Sequence, residues 1–203
     1  MPVDYKGGEH SKPVIRSFIA SLVRLFNRAM HKHRLLFKCR IMIFYFSGVG
    51  NSAWVANKLA ECFNDKVLPI ADEIGKKNTY SLRKEEKVGF IFPVYGWEPP
   101  KIVMDFIAEM QMDSPHYLYF VCTCGDDVGK TPKVFESAIK RKGWKCDAGF
   151  SVTMPDTYVC LPGFDIDDEV TLQIKMDNAK ARVEYIGKQI AGNIHMDRFD
   201  CYE

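Results

Sequence analysis

Three short stretches of this sequence carry residue types and spacings suited to ligand chemistry. The first is Ser47-Gly48-Val49-Gly50-Asn51-Ser52. Two glycines let a backbone approach a ligand closely. A helix that follows offers free N–H groups and the positive end of its dipole, and Ser47, Asn51 and Ser52 add hydroxyl and amide donors. This describes a phosphate cradle without a lysine, against the blander reading of a Gly-rich turn with a polar helix cap. The same loop spells G-x-G-x-x-A from Gly48 to Ala53, with Asp72 about twenty residues on, which matches a dinucleotide fingerprint. A dinucleotide pyrophosphate is met mostly by backbone amides. The density of side-chain donors suits a terminal phosphomonoester better, and so a mononucleotide.

The second stretch, Pro93-Val94-Tyr95-Gly96-Trp97-Glu98-Pro99-Pro100, sets two large aromatics around a glycine between rigid prolines. Exposed aromatics are unfavourable unless they cover the core or stack on something flat, and a planar ring system is the natural partner. The third, Thr123-Cys124-Gly125-Asp126-Asp127-Val128-Gly129-Lys130-Thr131, ends in G-K-T like a Walker loop. Its glycines are one residue too close for that motif, and Asp126 and Asp127 would repel phosphates, which excludes a nucleotide triphosphatase. An acidic loop of this kind can approach a neutral ring edge and disfavour negative charge on it. For the two aspartates alone, a solvated turn that caps the next helix is the simpler reading. Cys122 reads as core, and no catalytic thiol, acid–base pair or nucleophile stands out.

These loops need elements to hold them, and the hydrophobic pattern supplies alternating strands and helices. Ile41 to Phe46 is a continuous apolar run, the mark of a strand buried on both faces, and Ser52 to Phe63 follows with helical period. A short strand is expected near Lys66 to Ile70 and another at Val88 to Phe92, with a helix opening after Pro99-Pro100 and running to about Met110. Tyr117 to Thr123, a helix over Thr131 to Lys142 stopped by Gly143, a strand over Trp144 to Thr153 and a helix over Asp167 to Ile190 complete the pattern. Five strands alternating with helices predict a doubly wound parallel sheet in three α/β/α layers, with ligands at the carboxyl ends of its strands.

The chain has 203 residues, enough for one α/β domain, and its 47% hydrophobic and 27% charged content excludes a disordered or low-complexity chain. Residues 1–40 carry nine Lys/Arg against two Asp/Glu, while residues 41–203 carry nineteen against twenty-four. The acidic body argues against a nucleic-acid partner, which requires a basic surface. Seven scattered cysteines include no C-x-x-C pair, so a disulfide framework, a zinc knuckle and an iron–sulfur cluster all lack their spacing; reduced thiols in a cytoplasmic protein fit. No run approaches the apolar length of a membrane span. Residues 1–40 read as a basic extension, a polar lead followed by an amphipathic helix with Ile15, Phe18, Ile19, Leu22 and Phe26 on one face and Arg16, Arg24 and Arg28 on another. Packing on the domain, or translation from upstream of a start at Met42, is preferred to contact of residues 14–37 with a membrane surface.

Four segments, M-I-F-Y-F-S-G-V-G-N-S from Met42, F-P-V-Y-G-W-E-P-P from Phe92, T-C-G-D-D from Thr123 and M-P-D-T-Y from Met154, resemble the flavodoxin family. They resemble most closely the flavodoxin-like half of bacterial proteins that join such a domain to a ferredoxin domain. The resemblance spans roughly residues 41–193 and implies strand order 2-1-3-4-5 and one non-covalent flavin mononucleotide (FMN). Carried over, Ser47, Gly48, Val49, Gly50, Asn51 and Ser52 would hold the FMN phosphate. Pro93, Val94, Tyr95, Gly96 and Trp97 would flank the ring, with Tyr95 or Trp97 stacking, and Thr123, Cys124, Gly125, Asp126 and Asp127 would line its other edge. Val49 stands where the family usually has threonine, which removes a hydroxyl donor worth about 1 kcal/mol. The cluster-binding cysteines of the two-domain proteins are missing, which leads us to expect a stand-alone domain or a truncated one.

The function this implies is electron transfer between redox proteins of ferredoxin or reductase type, with the acidic body steering basic partners. Glycine at position 96 would keep low the barrier to turning a peptide carbonyl toward the ring. Two alternatives stand beside the carrier: an FMN-dependent reductase passing hydride from a nicotinamide to a quinone-type acceptor, and an interaction module that has lost its flavin.

Overall fold

The computed structural model describes residues 40–65, 67–83, 85–157 and 165–201, all within one compact unit spanning residues 39–203. The amphipathic helix expected over residues 14–30 lies outside the described residues. In chain order the elements are β1 (Ile41–Tyr45), α1 (Asn51–Phe63), β2 (Val67–Pro69), α2 (Ile70–Glu73), β3 (Thr79–Tyr80), β4 (Lys87–Pro93), α3 (Lys101–Glu109), β5 (Gln111–Met112), β6 (Tyr117–Cys124), α4 (Thr131–Arg141), β7 (Ala148–Thr153) and α5 (Glu169–Ala191).

Five strands form one parallel sheet in the order β2-β1-β4-β6-β7. Counted along the sheet's own strands this is 2-1-3-4-5, the flavodoxin-like doubly wound arrangement. The apolar runs are buried on both faces because helices cover both. On one face Phe44, Phe90, Phe92 and Phe120 pack with Val103, Phe106 and Ile107 of α3 and Phe135 and Ile139 of α4. On the other, α1 meets α5 where Gly187 leaves room beside Cys62 and Leu59. Phe44, Phe90 and Phe120 sit side by side across the central strands, and Phe120 is opposite Gly149. Among the described residues no helix is long and apolar enough to cross a membrane.

Two boundaries and one set of small elements differ from the sequence reading. The last strand begins at Ala148, not near Trp144, because Asp147 closes the turn: its carboxylate takes the Leu118 N–H at 3.0 Å and meets His195 Nδ1 at 2.9 Å. Helix α5 starts at Glu169, since Asp168 is its N-cap and accepts from the Val170 and Thr171 amides. The third difference is the small pair β3 and β5, together with α2, whose two to four residues carry no periodicity to detect.

Two tethers fix the sheet's ends. Lys87, buried at the start of β4, donates to the carbonyls of Ile190 and Ala191 at the C-terminus of α5, where a cation meets the negative end of the helix dipole. The segment after α5 returns along β7: the Asp200 N–H donates to Gly149 and the Ser151 N–H to the Asp200 carbonyl, with Phe199 edge-on to Phe120 at 5.1 Å. Arg182 clamps it, donating to the Ser151 carbonyl, the Asp200 carbonyl and the Asp200 carboxylate at 2.8–3.0 Å.

Candidate functional site

The chain runs from β1 outward to β2 and then returns to β4 on the other side of β1, so the strand order reverses between β1 and β4. A parallel sheet opens a crevice there, outside the carboxyl ends of its strands. The loops leaving β1 and β4 flank it, and the loop leaving β6 lies next to them.

In the first loop Gly50 takes φ 106°, which glycine adopts at no steric cost, and turns the chain into α1. Its N–H donates to Ser47 Oγ at 3.1 Å. No side chain caps α1, so its first-turn N–H groups are left for solvent or a ligand. The other two polar side chains are committed elsewhere. Asn51 Nδ2 donates to the Pro155 carbonyl at 3.0 Å, and the buried Ser52 hydroxyl bonds the Thr123 hydroxyl at 2.7 Å. These bonds tie the cradle to the loops that leave β6 and β7, and leave the backbone as its main donor surface. Val49 is exposed at its mouth.

In the second loop Tyr95 and Glu98 exchange backbone hydrogen bonds at 3.0 and 3.2 Å around Gly96 and Trp97, at φ 58° and 63°. Two consecutive left-handed residues make a type I′ turn. That conformation is uncommon for a residue as large as tryptophan, and contacts hold it. The Lys130 N–H donates to the Trp97 carbonyl at 2.9 Å, and the indole lies against Gly129, where any Cβ would collide with it. Pro93 and Val94 are half-buried, and the Val94 N–H donates to the Thr123 carbonyl at 2.8 Å. Tyr95 and Trp97 are 48% and 63% exposed, so neither serves mainly to cover the core. The Tyr95 ring stands edge-on to Phe46 at 6.3 Å, and its hydroxyl reaches over Gly48. Beside it runs a groove of about 500 Å³ lined by Phe46, Tyr95, Pro99, Pro100, Met104 and Val134.

The third loop places Thr123 and Cys124 facing inward at the end of β6. Burial, then the neighbouring Cys201, Asp126 and Asp127, push the Cys124 thiol up to about 12, so it holds its proton at neutral pH. Asp126 and Asp127 are exposed, and Asp127 accepts from the Gly129 N–H at 2.8 Å just before α4. That is the geometry of a solvated turn. Gly125 brings the backbone close to the Asp156 carboxylate.

The structure therefore gathers all three predicted loops at one sheet edge, with the backbone of the first and the aromatics of the second turned outward. The side chains of Ser52, Thr123 and Cys124 turn inward and serve the architecture. Sequence reasoning about the site passed over Phe46, Pro155 and Asp156; the run M-P-D-T-Y at the end of β7 was the available signal for the last two. Asp72, the acid of the dinucleotide reading, lies exposed on α2.

No protein-family model matches the chain, and no curated protein matches it. Among solved structures it is similar to azoreductase from Bacillus anthracis str. Sterne, at 11% identity over 76% of this chain and 100% of that one, TM-score 0.49. It is also similar to NAD(P)H:quinone oxidoreductase from Methanothermobacter marburgensis, at 10% identity over 75% of this chain and 96% of that one, TM-score 0.45. A third is the Trp repressor binding protein from Bacillus subtilis, at 15% identity over 71% and 96%, TM-score 0.43. The strand order itself assigns the flavodoxin-like class.

Proposed function

We propose that this protein binds FMN non-covalently and transfers electrons between redox proteins, as the flavodoxin-like half of flavodoxin–ferredoxin proteins does. One observation carries the reading: an uncapped helix N-terminus behind Gly48 and Gly50 sits at the sheet's switch point, beside two exposed aromatics. This donor set fits a phosphomonoester next to a flat ring. FMN, when bound, supplies one- and two-electron chemistry.

The chain's own residues would bind and orient it. The first-turn amides of α1 and the Gly48–Gly50 backbone would hold the phosphate, and Trp97 would cover a ring face. The Lys130 to Trp97 hydrogen bond fixes the far end of the turn, while Gly96 leaves its peptide free to reorient. Asp126 and Asp127 would place negative charge along the ring edge. The acidic body, residues 41–203, would steer basic partner surfaces toward it.

The test is a flavin titration followed by visible absorbance and flavin fluorescence. FMN is expected to bind, with Trp97→Ala weakening it about ten-fold or more through lost stacking. Absence of binding at excess FMN leaves the interaction-module reading. The groove beside Tyr95 favours a second reading, an FMN-dependent NAD(P)H:quinone-type reductase with room for a small acceptor. Steady NAD(P)H consumption by the pure, FMN-loaded protein with a quinone present would decide for it.

A further inference from the structure

We infer that the Tyr95 hydroxyl is a phosphate ligand that selects the phosphorylated flavin, a role that rests on the FMN reading above. Two aromatics flank the crevice, and they are placed differently. Trp97 lies across the third loop with most of its surface open. Tyr95 has its ring engaged edge-on with Phe46 and its hydroxyl held over the cradle.

Gly48 records how close that approach is. It is not in the left-handed region, unlike Gly50, so its backbone makes no demand for glycine. The demand comes from space: a Cβ at position 48 would run into the Tyr95 hydroxyl oxygen. The first glycine of the cradle thus admits a phenol to the place where a phosphate would meet the α1 N-terminus. Among the described residues that hydroxyl has no hydrogen-bond partner. Val49, exposed and without a hydroxyl, offers the cradle no side-chain donor, and the Tyr95 O–H supplies one from the opposite wall. A phenol donating to a dianionic phosphate forms a charge-assisted bond, whereas the terminal alcohol of riboflavin gains little from it.

Tyr95→Phe removes the hydroxyl and keeps the ring against Phe46. Dissociation constants of FMN and of riboflavin are measured for wild type and variant by fluorescence quenching. The role predicts wild type favouring FMN, with Tyr95→Phe weakening FMN about ten-fold and leaving riboflavin unchanged. Unchanged riboflavin affinity also shows that the variant folds. Equal weakening of both flavins would assign Tyr95 to the ring, and no change in either would leave it outside the site; both outcomes overturn the role. Wild type that binds neither flavin overturns the FMN reading itself, and this inference with it. Val49→Thr in the Tyr95→Phe background is expected to recover FMN affinity by returning a hydroxyl to the cradle.

Discussion

At the scale of single residues, the side chains that read as ligand donors divide by direction. Ser52 and Thr123 satisfy each other across 71 positions of sequence, so each is a buried polar group with its partner already found. Such a pairing is invisible in one sequence, because serine at a helix start and threonine at a strand end each have a sufficient local explanation. The same holds for Tyr95 and Gly48, whose fit depends on two loops meeting. What was legible was the composition of the loops; what was not was which atoms the loops spend on each other. Asp168 gives a prediction at this scale. Hydrogen bonds from Thr171 and Val170 hold its carboxyl below the ordinary carboxylate range. The unfolded chain therefore takes up this proton first as pH falls. The cap's contribution is complete above the ordinary carboxylate pKa and is lost as pH drops through the lower folded value. Asp168→Asn keeps an accepting oxygen without the charge. Its melting temperature should lie below wild type at neutral pH and fall less steeply in acid, so that the two converge, as a pH series of thermal melts would record.

At the scale of elements, β1, β4 and β6 were readable because a strand buried on both faces must be apolar throughout, and few other elements of that length look the same. The beginning of β7 was misread for a physical reason. Trp144 and Cys146 are buried like strand residues, yet they line the turn that Asp147 closes. Lys87 was hidden the other way: a lysine at the head of an apolar run looks like a solvated edge, and the structure buries it under the end of α5. Lys87→Met keeps an apolar stem, removes the ammonium from over the Tyr117 ring and takes one donor from each of the Ile190 and Ala191 carbonyls. Such a loss costs about 1–3 kcal/mol. Urea unfolding should register a lowered midpoint at unchanged slope.

At the scale of the whole molecule, the doubly wound sheet places chemistry at one end and closure at its sides. The segment through Phe199 and Asp200 was not anticipated, since nothing in a short polar tail announces that it will pair with a strand. Arg182 holds it with two hydrogen bonds to Asp200 and reaches β7 with a third to the Ser151 carbonyl, so Arg182→Ala should raise amide exchange at Ser151 and Asp200 while β4 and β6 stay protected. That tail has a further effect on how copies of the protein meet. A bare outer strand is a template on which another chain can add itself and begin a fibril. Here β2 is only three residues long at one margin, and the clamped tail occupies the hydrogen-bonding groups of β7 at the other. A sheet made of some of the most aggregation-prone sequence in the chain is thereby kept from recruiting its neighbours.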